Sequence, residues 1–299
     1  MLSSHYGEMA ALGTAICYTL NGIFFESAGK KVGSLAVNYI RLVVGFILLS
    51  IFTYFSRGYL LPMDASSFNW TWLSISGFIG FFLGDLFLFQ SYIEVGTRIS
   101  MLVLGIAPPL TAILGYIFLD EVISFAGIIG MLIITVGIAL VILGKDEDDD
   151  KIKFKHSLKG IFYAFLGAVG QSVGVIFSKI GMGTYSPFAA TQIRIIAGFI
   201  AFNVLFLYLN KWVDLKNAMK DKKAMTEISL GAVFGPVIGV SLQLISLQLT
   251  SAGISATITS IMPVTILPYS ILVCKEKLSI KEIVGTIVSV IGVGILFLI

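Results

Sequence analysis

Charge is scarce in this sequence: Asp, Glu, Lys and Arg together make up 12% of the chain, where an ordinary soluble domain carries about a quarter. Hydrophobic residues supply 57% and mean hydropathy is +0.97, a composition that places the chain in a bilayer. The formal net charge of +3 is small and spread over short loops, so no nucleic-acid partner is expected. Cysteine is nearly absent. Cys17 and Cys274 lie far apart in apolar stretches, which excludes a disulfide framework or a CxxC site and leaves packing as their expected role. The two histidines, His5 and His156, fall outside the apolar runs, so HExxH chemistry is excluded, and no GxxxxGK[ST] loop offers ATP drive. No metal, no cofactor and no enzymatic activity are expected. The first apolar run lacks a basic leader and a clear cleavage site and is read as retained.

What the sequence has in abundance is apolar runs of membrane-crossing length, about 20 residues each. Ten are predicted: Met9 to Ala28, Leu35 to Phe55, Trp72 to Ile93, Ile99 to Leu119, Val122 to Leu143, Leu158 to Ser178, Pro187 to Leu209, Ile228 to Leu249, Ile254 to Val273 and Ile280 to Ile299. Runs such as Ile128 to Leu143 are apolar all round, which selects helices over alternating barrel strands. The expected fold is an all-α integral membrane protein.

The sequence also repeats itself. At a shift of 155, Gly80 and Gly84 fall on Gly235 and Gly239, Ser91 on Ser246, Pro108 on Pro263, Glu121-x-x-Ser124 on Glu276-x-x-Ser279, Gly130 on Gly285 and Gly137 on Gly292. At 153, Ile40-Arg41 falls on Ile193-Arg194. Apolar composition alone would not align Pro, Glu and Arg in order. Five spans per half is an odd number, so the second half is expected to insert upside down, giving two inverted five-helix repeats, 7–143 and 157–299. Residues 144–156, a charge run from Lys145 through Asp150 to Lys155, read as a solvated linker. Sixteen of the 20 Lys and Arg fall in loops one, three, five, seven and nine, against only Arg57 and Lys179 opposite, which predicts both termini outside.

Ionisable groups within spans cost about 2.5–3.5 kcal/mol each, so each is a candidate for function. Asp85 and Arg41 are both displaced toward the loop-one side of their spans and are expected to pair. Two readings stay open for Asp85: a structural ion pair, or a proton or substrate relay. Its repeat counterpart is Val240, so Arg194, the counterpart of Arg41, lacks a carboxylate and is left with carbonyls, Gln192, Gln243 or a substrate anion. Asn21, Gln90, Gln171, Gln243 and Gln248 are amides that line a wet cavity or bind helices together. Glu26 and Lys179, at equivalent ends of spans one and six, are expected to reach for the interface. Pro108 and Pro263 stand near the centres of spans four and nine, where a lost backbone donor bends or breaks the helix, either to shape the bundle or to open a binding site. The glycine pairs of spans three and eight point to close packing.

Two halves, each with an Arg early in its second span, a Gly-rich third, a central Pro in its fourth, Glu-x-x-Ser and a Gly-spaced fifth, resemble the EamA repeat of the drug/metabolite transporter superfamily. The likeness covers 7–143 and 157–299. It implies ten helices around a central cavity, alternating access, and small organic solutes such as amino acids or related metabolites, commonly exported. By likeness, spans one, three, four, six, eight and nine line the cavity, which brings in Asn21, Asp85, Gln90, Gln171 and Gln243. Family members are usually drawn with both termini cytoplasmic, the reverse of the charge count. Glu121 and Glu276 match the family's loop glutamate and read as helix-end acceptors.

The expected function is therefore a secondary transporter of a small polar metabolite in the plasma membrane, with the solute and membrane lipid as partners. Proton coupling through Asp85 and a monomeric or homodimeric state are compatible with it. A lipid flippase or scramblase using the same cavity, and a non-transporting scaffold, are the competing readings. An intramembrane aspartyl protease would need a second membrane aspartate.

Overall fold

Backbone in lipid must satisfy its own hydrogen bonds, and the apolar runs do so as helices. A computed structural model describes residues 5–120, 124–146, 149–154, 157–250, 252–275 and 280–298. In chain order the first half holds α1 (Tyr6–Val32), α2 (Ser34–Arg57), α3 (Ser67–Gly77), a π-helical segment Phe78–Gly84, α4 (Asp85–Leu104), α5 (Ala107–Leu119) and α6 (Phe125–Ile142). The second holds α7 (Leu158–Met182), α8 (Pro187–Leu209), α9 (Trp212–Ala218), α10 (Lys222–Ala232), a π segment Val233–Gly239, α11 (Val240–Leu249), α12 (Ala252–Thr259), α13 (Met262–Thr265), α14 (Leu267–Leu272) and α15 (Ile280–Leu298). Between them, β1 (Leu143–Asp146) pairs antiparallel with β2 (Asp149–Phe154), so the linker contains a short hairpin where the sequence predicts only a solvated run.

Among the described residues, five stretches are long and apolar enough to cross a bilayer: Ser34–Arg57, Ser67–Leu104, Leu158–Met182, Pro187–Leu209 and Lys222–Leu249. Shorter apolar helices and the 27-residue α1 accompany them. Large apolar side chains stay exposed along single helix faces, Ile47, Ile51 and Phe55 on α2 and Ile200, Val204 and Leu207 on α8, a pattern that suits lipid as solvent.

Element ends follow local chemistry. Ser66 and Asn69 form a reciprocal capping box at the start of α3, and Asp221 accepts from the Ala224 amide at the start of α10. Spans three and four separate at Gly96 inside the stretch labelled α4: its φ of 81° and ψ of 160° are not helical, a conformation only glycine adopts readily, and a new helix starts at Thr97. Span four then breaks after Leu104, and α5 opens with Pro108 in its first turn. Span nine is cut into α12, α13 and α14, with Pro263 in the first turn of α13.

The two π segments are each seven residues long and offset by the repeat shift of 155, Phe78 to Val233. Pro236, which has no amide to donate, sits inside the second. Each segment packs on the first helix of the opposite half. A Cβ added to Gly170 of α7 would lie 2.5 Å from the Gly84 Cα, and one on Gly235 would lie 2.2 Å from the Asn21 amide nitrogen of α1. The last helices of the halves also pack on each other. Added Cβ atoms on Gly137 and Gly292 would meet the carbonyl oxygens of Gly285 at 2.7 Å and Gly130 at 2.9 Å. Following α6 forward thus meets α15 in reverse, and the two helices run antiparallel. Glu121 and Glu276 lie outside the described residues.

Candidate functional site

A cavity of about 130 Å³ lies between the halves, ample against the roughly 10–15 Å³ that one water needs by this measure. Its wall comes from α1, α2, the two π segments, α4, α5, α7, α11, α12 and α13. On α4 the lining residues Asp85, Leu88, Phe89 and Tyr92 follow the helical spacing of one face. The breaks before Pro108 and Pro263 border the space, with Gly105, Ala107, Ser260 and Met262 beside them.

Polar groups gather in a belt on this wall. Arg41 and Asp85 are 2% and 4% exposed and form an ion pair, Nη2 to Oδ2, of 2.5 Å. Arg41 Nη2 also donates to the Phe81 carbonyl at 3.1 Å and Nε to Asn38 Oδ1 at 3.2 Å. The other Asp85 oxygen accepts from Gln171 Nε2 at 2.6 Å, which ties α4 to α7 across the two halves. Asn38 donates to the Asp85 backbone carbonyl at 3.1 Å. A buried carboxylate is held in place by this set of charge-assisted bonds. Asn21 and Gln243 also line the cavity, and Gln243 Oε1 accepts from the Tyr18 hydroxyl at 2.8 Å.

Three sequence candidates lie elsewhere. Gln90 is not on the wall: it is five residues, about 140° of helix, beyond Asp85, and it bonds Ser34 and Glu94 instead. Arg194 is 1% exposed but stands behind Phe81, its Cζ 4.4 Å from the ring centroid, and its Nε and Nη1 have no hydrogen-bond partner. Neither Gln192 nor Gln243 reaches it; Gln192 donates to Ser50 and the Leu60 carbonyl. Gln248 caps the Gly183 and Tyr185 carbonyls. Cys17 is buried, whereas Cys274 is exposed.

The sequence reading missed the aromatic part of the wall, Tyr18, Phe81, Phe89 and Tyr92, although Tyr18 is one helical turn before Asn21 and Tyr92 two turns after Asp85. It also missed the role of Glu26. Rather than reaching for the interface, Glu26 Oε2 accepts from the Thr97 amide at 2.6 Å, capping the stretch of α4 that restarts after Gly96, and Oε1 pairs with Lys30 at 2.5 Å. Thr97 Oγ1 donates to the Gly22 carbonyl at 3.0 Å, and Lys31 bridges to Glu227 of α10 at 2.7 Å. These contacts close the cavity at the end where α1 finishes. At the opposite end, among the described residues, the counterpart helices α7 and α12 scarcely touch. There Val175, Ala252 and Ala256, repeat counterparts of Gly22, Thr97 and Met101, line the cavity.

No group of three His, Cys, Asp or Glu side chains that could hold a metal occurs among the described residues. The profile of the EamA-like transporter family matches residues 5–143 and 158–298, one match per half. The chain belongs to the EamA-like transporter family. It is 23% identical over 304 residues to an uncharacterized transporter of Archaeoglobus fulgidus, covering 97% of each chain. An uncharacterized protein of Methanocaldococcus jannaschii is 29% identical over 136 residues, 46% of this EamA chain but 94% of that protein. That relative has the length of a single half. A solved crystal structure superposes with a TM-score of 0.64 at 14% identity, covering 96% of this chain and 95% of that one, a likeness of fold. The chain is a multi-pass membrane transporter.

Proposed function

We propose that this EamA protein is a secondary transporter that carries a small polar metabolite outward through the central cavity by alternating access. In this reading ten membrane-crossing segments form two inverted five-helix repeats, 7–143 and 157–299, joined by the 144–156 linker. The observation that carries it is the asymmetry of the cavity ends. Gly22 and Thr97, whose contact closes one end and which do not line the cavity, have repeat counterparts, Val175 and Ala252, that line it at the other. If the halves exchange conformations, the closed end opens and the open end closes, with the polar belt between. The antiparallel packing of α6 on α15 supports inversion, because equivalent helices of parallel repeats would not meet head to tail.

The closed end carries the Lys- and Arg-rich loops, so by the charge bias it faces the cytoplasm of a plasma membrane and the cavity opens outward. Asn21, Gln171 and Gln243 are the groups placed to orient a solute, Pro108 and Pro263 mark the breaks that expose backbone to it, and Asp85 is the candidate coupling group. Flux of a radiolabelled metabolite panel into proteoliposomes, with and without a pH gradient, tests the proposal. Solute flux that Asp85→Asn uncouples from the gradient supports it. No solute flux, with labelled lipid scrambled instead, would replace it by a lipid-moving role.

A further inference from the structure

The charges at the centre of the molecule do not balance. Arg41 and Arg194 stack on one ring, their Cζ atoms 5.5 Å and 4.4 Å from the Phe81 centroid, and all three charged residues of the cluster, Asp85 included, are at most 4% exposed. One carboxylate therefore serves two guanidinium groups. Asp85 is bound to Arg41, while Arg194 Nε and Nη1 are buried without a hydrogen-bond partner. The ring face compensates Arg194 only in part, and an excess positive charge in a dry interior is costly unless something negative comes near it.

The wall offers places for such a group. The Arg41 side chain lines the cavity, and its bonds use Nε and Nη2, leaving Nη1 donating to no described residue. The Asn21 amide is bonded by no described residue either. A cationic group finds no such welcome, since it would add to the positive excess and would have to share Asp85 with Arg41 and Gln171, which already donate to its two oxygens. Around this edge the surface is apolar, with Leu88, Phe89, Leu104, Val240 and Leu247.

We propose that the carried solute is an organic anion, its negative group held at the free edge of Arg41 and its apolar body against the hydrophobic wall, with Arg194 behind Phe81 supplying the excess charge that selects for it. This narrows the transporter reading above and rests on it.

Three probes with a common phenyl body separate the possibilities: phenylacetate, phenylacetamide and phenethylamine, titrated at neutral pH into the purified full-length protein in detergent, with binding read by intrinsic fluorescence. Phenylacetate is expected to bind about ten-fold more tightly than the amide, with the amine weakest. Arg194→Gln removes the excess charge without altering the cavity wall, and is expected to bring the acid-to-amide ratio near one, whereas Arg194→Lys keeps it. Should Arg194→Gln not fold, the wild-type probe order together with Arg194→Lys decides. Equal binding of acid and amide, a preference for the amine, no saturable phenylacetate binding, or an unchanged ratio in folded Arg194→Gln would overturn the proposal. Flux of other solutes without any acid preference sinks this inference alone, and acid binding without flux of any solute sinks the transport reading, leaving an anion site that carries nothing.

Discussion

The Arg41–Asp85 pair is buried on both sides, so removing either partner leaves a charge in the interior without its hydrogen-bonded counterion. Arg41→Ala is expected to lower stability by about 3–5 kcal/mol, read as a large drop in thermal unfolding temperature in detergent. The double variant Arg41→Met/Asp85→Leu should recover only part of that loss, since the pair leaves no unpaired charge behind but Arg194 loses the carboxylate near it; a double variant as unstable as the single one would show that the pair's worth lies in its other hydrogen bonds. Outside the membrane, Asp64 accepts from the Tyr185 hydroxyl at 3.0 Å and pairs with Arg57, joining the loop after α2 to the loop after α7. Burial pushes the Asp64 carboxyl up, but Tyr185 and Arg57 outweigh it and hold it below the ordinary carboxylate range. A carboxyl depressed in the folded state stabilises fully above its unfolded value, about 4, and loses that contribution as pH falls through the folded one. Protection of this loop against hydrogen exchange should therefore fall below about pH 4, and Asp64→Asn should lose the pH dependence. The pairing of Arg41 with Asp85 was legible in the sequence because two lone opposite charges at matching depth have few alternatives. The solitude of Arg194 was only half legible: the missing carboxylate shows in the repeat, the shielding by Phe81 does not.

At the scale of elements, glycine decides where helices from opposite halves meet. Gly170 of α7 lies on Gly84 of the first π segment with no room for a methyl group, and Gly174 lies tightly on Gly80, so Gly170→Ala must push backbone from backbone. A loss of about 1–3 kcal/mol is expected. Gly294 of α15 meets nothing within 4 Å, and Gly294→Ala should be neutral or stabilising by up to about 1 kcal/mol; unfolding temperatures of the two variants, measured side by side, check the contrast. The glycine pairs are visible in the sequence, but their partners are not, since a Gly spacing says that a helix can be approached closely and not by which neighbour. The same limit explains Gln90. Its period places it on a helix, and only the rotation of α4 about its axis, set by packing on α1 and α7, turns it away from the cavity toward Ser34.

On the scale of the whole molecule, the two ends of the cavity should respond oppositely to reagents. Ala256→Cys, at the open end, is expected to react with a membrane-impermeant maleimide added to one face of the membrane, and Thr97→Cys, sealed beneath Glu26 and Gly22, to resist the same reagent from the other. Glu26→Gln weakens a helix cap worth about 1 kcal/mol, and should raise labelling at position 97 while lowering it at 256; parallel changes at both ends would contradict a linked pair of gates. By itself the sequence determined residence in the bilayer, helical structure and duplication, because hydrocarbon thickness fixes the length of an apolar run and a copied half keeps its Pro, Gly and Arg in order. Which polar side chains face the cavity, which arginine goes unpartnered and which end is shut were decided only by the tertiary structure. The physical reason is phase: each π segment widens one turn to i→i+5 bonding and rotates every residue beyond it, and the final rotation is fixed by contacts with the opposite half, remote in the chain.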